Sequence, residues 1–69
     1  MTTEKQFLQR VEAFLRSSRM SPATFGRQAI NDPTFVAKLR GGRSPSLRVA
    51  DKVLRYIRAE MAKALGVRL

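Results

Sequence analysis

Sixty-nine residues make a single domain, near the lower size limit at which a hydrophobic core alone holds a chain folded. With neither cysteine nor histidine, disulfides, thiolate zinc sites and imidazole acid–base chemistry are excluded. Fourteen Lys and Arg against five Asp and Glu leave a net charge of +9, a density that attracts polyanions and repels other copies of the chain.

Residues 4–18 carry Phe7, Leu8, Val11, Phe14 and Leu15 at the recurrence of an amphipathic helix, with Glu12 and Arg16 four apart on the polar side as an ion pair. The helix is expected to break at Ser17-Ser18-Arg19. Ser21 then caps a second, short helix over about 22–30 with Pro22 at its first position, where the missing N–H has no intrahelical acceptor to lose. Met20 and Phe25 fall at the two positions of a hydrophobic staple. Asn31 suits a left-handed turn, and Asp32-Pro33 repeats the cap-plus-proline start for a third helix over 33–40, ended by Gly41-Gly42. After a further pair, Ser44-Pro45, the longest helix is expected over about 46–65. Its stripe is Leu47, Ala50, Leu54, Ile57, Met61 and Ala64, widened by Val49, Val53 and Tyr56. No strand pattern, repeat or low-complexity segment is present, so the fold class is all-α with four helices.

Two short helices joined by a tight turn, the second closed by glycine and followed by a basic loop, form the layout of a helix-turn-helix. From Met20 to Gly42, a third of the chain, the sequence resembles the Xre/Cro-like, phage-repressor type of this motif without a gap. Met20, Ser21, Phe25 and Gly26 match the apolar lead, the polar cap, the apolar residue four on, and the small residue where the helices cross. Asp32, Val36, Leu39 and Gly42 match the cap, the two core residues and the closing glycine of the recognition helix. The family's turn usually has glycine then an apolar residue, where this chain has Ile30 and Asn31. Pro22 stands where a glutamine often reaches a phosphate, Pro33 where relatives carry a long polar reader, and Phe35 where they have a small hydroxyl residue.

The resemblance implies a lambda-repressor-like domain spanning residues 1–69, with the motif at about 21–41 and the recognition helix in the major groove of double-stranded DNA. It implies base contact by Thr34 and Lys38, with Pro33 and Phe35 at neighbouring reader positions. Phe35 has a second reading as the side chain that fills the space beside Gly26. From Lys38 to Arg58 there are seven basic residues and one acid, Asp51. Arg40, Arg43, Ser44 and Arg48 are accordingly phosphate-contact candidates, with Arg27 and Gln28 on the second helix as further ones. Asp51 and Arg55 make an i, i+4 pair, and no Ser or Lys has an activating base, so enzymatic activity is not expected, nor is a cofactor.

No apolar run is long enough to span a bilayer, and the opening "MTTEKQFLQR" lacks the apolar stretch of a signal peptide. A cytoplasmic, nucleoid-associated protein of a bacterium or phage is the expectation, acting as a transcriptional regulator. The last helix offers Ile57, Met61 and Leu65 as a homodimer face, with closure over the chain's own first helix as the rival use of that stripe. The alternative function is a helical protein-interaction module whose basic face is incidental.

Overall fold

The computed structural model describes residues 4–66. Four helices follow in order: α1 Glu4–Ser18, α2 Pro22–Ile30, α3 Phe35–Arg40 and α4 Leu47–Ala64, with no strand among the described residues. No helix among them is long and apolar enough to cross a membrane.

Local chemistry sets each boundary. The hydroxyl of Ser17 donates back to the Phe14 carbonyl at 3.3 Å, and Arg19 takes a left-handed conformation (φ 58°), which turns the chain out of α1. Ser21 accepts the Thr24 N–H at 3.2 Å with Pro22 just inside the helix. Met20 and Phe25 both pack into the core from the staple positions. Asn31 closes α2 in the left-handed region (φ 58°, ψ 35°), its N–H on the Arg27 carbonyl, and the next N–H, of Asp32, reaches the Gly26 carbonyl at 3.0 Å.

Two starts differ from expectation. The third helix begins at Phe35 rather than Pro33, because Asp32-Pro33-Thr34-Phe35 forms a β-turn of its own. Thr34 has φ −95° and ψ 1°, the second central position of a type I turn, and Phe35 N–H closes the turn on the Asp32 carbonyl at 3.2 Å. The fourth helix is capped by Ser46, whose Oγ accepts the Val49 N–H at 3.2 Å, so Ser44-Pro45 precedes the cap instead of forming it. Leu47 consequently stands in the first turn with 90% of its surface exposed, off the apolar stripe.

The core gathers side chains from all four helices around Phe25, which is fully buried. Its ring lies 5.6 Å from both Phe14 of α1 and Tyr56 of α4, and Phe7 meets Phe35 edge-on at 6.4 Å. These contacts link all four helices, and large rings bury much area per residue in so small a chain. Val11, Val36 and Val53 fill the remaining interior without measurable exposure. Gly26 is required where α2 meets the turn: a Cβ there would strike the Asp32 carbonyl oxygen and press on Phe35 Cβ at 3.3 Å.

Candidate nucleic-acid interface

Burial divides α3 in two. Phe35, Val36 and Leu39 are buried, while Ala37 and Lys38, with Thr34 just before the helix, are exposed. Phe35 is therefore a core residue at 5% exposure, which overturns the expected base contact and agrees with its second reading: its ring meets Phe7 and its Cβ lies beside Gly26. Pro33 is exposed in the turn that precedes the helix.

The C-terminus of α3 aims the following loop. The Gly42 N–H bonds the Leu39 carbonyl and the Arg43 N–H bonds the Lys38 carbonyl, both at 3.0 Å, the paired bonds of a Schellman motif. Gly42 supplies its positive φ of 96°. Arg43 is thereby folded back over the last turn of the helix. Lys38, Arg43, Ser44 and Asp32 line one shallow cleft of about 160 Å³, floored by Ile30, Phe35, Leu39, Pro45 and Val49. Arg43 and Ser44, expected to meet phosphate, thus share one depression with Lys38, expected to read bases, and with the buried Phe35. Arg48, in the first turn of α4, and Arg27, on α2, are exposed and form no ion pair among the described residues.

Two other candidates have intramolecular partners. Arg40 reaches Glu12 of α1 through two parallel bonds, Nε to Oε2 at 3.0 Å and Nη2 to Oε1 at 2.7 Å. This replaces the expected Glu12–Arg16 pair as the principal contact, and Arg16 acts on Glu12 only as a nearby positive charge. The Arg40 hydrogen bond, and then its charge, hold the Glu12 carboxyl below the ordinary glutamate range. Gln28 accepts the Tyr56 hydroxyl at 2.6 Å, which ties α2 to α4. Asp51 and Arg55 form the expected pair at 3.0 Å.

Sequence reading did not anticipate what surrounds Asp32. Its Oδ1 accepts both the Thr34 N–H at 3.0 Å and the Thr34 hydroxyl at 2.7 Å, and its Oδ2 meets Lys38 Nζ at 3.2 Å. The Thr34 hydroxyl, its N–H and then Lys38 hold the Asp32 carboxyl below the usual aspartate range. An aspartate two residues before a backbone N–H is a legible local turn signal. The contact with Lys38, six residues on, spans the turn and the first turn of α3.

Comparison with protein-family profiles, with curated proteins and with solved structures returns no match for the chain.

Proposed function

We propose that the chain is a sequence-specific double-stranded DNA-binding transcriptional regulator of the Xre/Cro-like helix-turn-helix type, with α3 entering the major groove. The observation that carries this reading is the division of α3: Val36 and Leu39 anchor it, Thr34 and Lys38 lie exposed, and Arg43 and Ser44 border the same cleft as Lys38. In this arrangement Lys38 donates to guanine O6/N7, and Thr34 offers a hydroxyl or its methyl to a base edge. Arg43, Arg48 and Arg27 neutralise phosphates, which positions the protein without reading sequence. Arg40 serves chiefly to fasten α3 to α1, and a phosphate contact by it shares the guanidinium with Glu12.

The regulator acts as a dimer on a near-palindromic site, with recognition helices about one DNA turn, roughly 34 Å, apart. Ile57 is 5% exposed and belongs to the monomer's own core, so the dimer face rests on Met61 and Leu65, which are 51% and 77% exposed.

Selection from a random oligonucleotide pool, followed by gel shift, tests the proposal. A defined and symmetric site should emerge, with affinity falling roughly 10³–10⁵-fold between about 50 and 200 mM salt for some 6–10 phosphate contacts per dimer. Lys38→Ala should cost about 1–3 kcal/mol on the selected site and much less on scrambled duplex, while Arg43→Ala weakens both alike. Failure to bind any duplex would leave the protein-interaction reading, which the exposed Leu47, Met61 and Leu65 favour.

A further inference from the structure

Every polar side chain expected to read bases converges on one acidic group. Asp32 lies in the turn that launches α3, and its two carboxylate oxygens divide the work: Oδ1 takes both donors of Thr34, and Oδ2 takes the ammonium of Lys38. Lys38 is exposed and Asp32 half-buried, with 46% and 31% of their side chains accessible, so both partners reach the surface that would meet a ligand. The backbone of Asp32 is independently fixed, its N–H on the Gly26 carbonyl and its carbonyl receiving Phe35 N–H. The turn thus sets the carboxylate beside Thr34 and Lys38 through three side-chain bonds.

We propose, resting on the DNA-binding reading above, that Asp32 is a specificity-determining residue: its carboxylate presets Lys38 and Thr34 for base edges and disfavours their use on phosphate. The reasoning is electrostatic. A phosphate drawn to Lys38 Nζ is brought beside a fixed negative charge, and like charges at that range repel. The guanine acceptors O6 and N7 carry no net charge. An ammonium has three donors, so Lys38 bonds guanine while keeping its bond to Asp32. The same carboxylate is an acceptor for cytosine N4, which strengthens the preference for a G·C pair at this point in the groove. Asp32 thus lowers non-specific affinity while sparing the correct site, and selectivity rises by the difference.

The test separates charge from structure through Asp32→Asn, which keeps an oxygen for the Thr34 N–H and so keeps the turn. Binding of wild type and variant is measured on the selected duplex and on a scrambled one across a salt series, with melting recorded for each. Expected are a Tm lowered only slightly by loss of the exposed Lys38 ion pair, tighter binding to scrambled duplex by roughly fivefold to tenfold at about 0.1 M salt, and a salt slope steeper by about 0.9 for each Lys38 freed to meet phosphate. Selectivity for the chosen site falls by at least that factor. In a Lys38→Gln background most of the gain on scrambled duplex should vanish, since the freed ammonium is what produces it. Should Asp32→Asn melt low, Asp32→Ser, a second neutral turn former, carries the same comparison. Equal selectivity in wild type and a folded neutral variant overturns the role of Asp32 and leaves DNA reading intact. Absence of wild-type binding to every duplex overturns the parent reading and this one with it.

Discussion

At Gly26 a single hydrogen atom decides how closely α2 and the turn before α3 approach. Alanine is the better helix former by about 1 kcal/mol, so by propensity alone Gly26→Ala would stabilise the domain. The added Cβ instead meets the Asp32 carbonyl oxygen, a backbone atom that no rotamer change can move, and Phe35 Cβ at 3.3 Å. Net destabilisation of about 1–3 kcal/mol is expected from the overpacking. At about 4–8 °C per kcal/mol for a domain of this size, thermal melting should register a clear loss. A variant melting at or above wild type would mean the turn yields without cost. The need for a small residue here was legible, because glycine inside a helical pattern demands an explanation. Phe35 was legible as a neighbour of Gly26, but the closer approach of the Asp32 carbonyl was not, since it depends on how the turn after α2 folds back.

Among the elements, α3 is the one least able to stand alone. Its six residues are too few for helical propensity to hold them, so the turn at Asp32, the Schellman closure and the Glu12–Arg40 contact fix it from three sides. That contact makes a pH signature. Because the Glu12 carboxyl is held below its ordinary range when folded, its contribution is fully present above the unfolded glutamate value and is lost as pH falls through the lower, folded one. Glu12→Gln should melt below wild type at neutral pH, with the gap narrowing into the acid range until the curves meet. A gap that stays constant with pH would show that Glu12 contributes by packing rather than by charge. Helix starts were legible to within two residues, since serine caps and prolines act on their own neighbours. The later start of α3 escaped because Asp-Pro serves a type I turn as well as a helix N-terminus.

For the molecule as a whole, charge and apolar exposure pull against each other. Met61 and Leu65 border a groove of about 310 Å³ with Leu54, but Arg10 and Arg58 line it too, and each copy carries +9. Two free copies would bring like charges together, and DNA, as the proposed partner, would relieve that repulsion by supplying phosphates. Sedimentation at low salt should therefore find monomers in the free protein and two copies per site on the selected duplex. Met61→Glu should reduce paired occupancy with little change in melting, as half of that side chain is already exposed. One copy per site for wild type, free and bound, would remove the dimer.

Helix content, the apolar faces, the αL turn at Asn31 and the concentration of basic residues after Lys38 were determined by the sequence itself. Each depends on residues within about one or two helical turns of one another. Tertiary structure decided which of the two readings of Phe35 holds, and it alone decided that Glu12 serves Arg40 instead of Arg16 and that Ile57 is consumed by the monomer. It also decided that Gln28 is held by Tyr56. Those outcomes join groups as far as 28 residues apart along the chain, where periodicity and capping carry no information about which partner lies nearest. The choice falls to packing, because a buried ring or a bidentate ion pair forms only with the group that the folded backbone brings within reach.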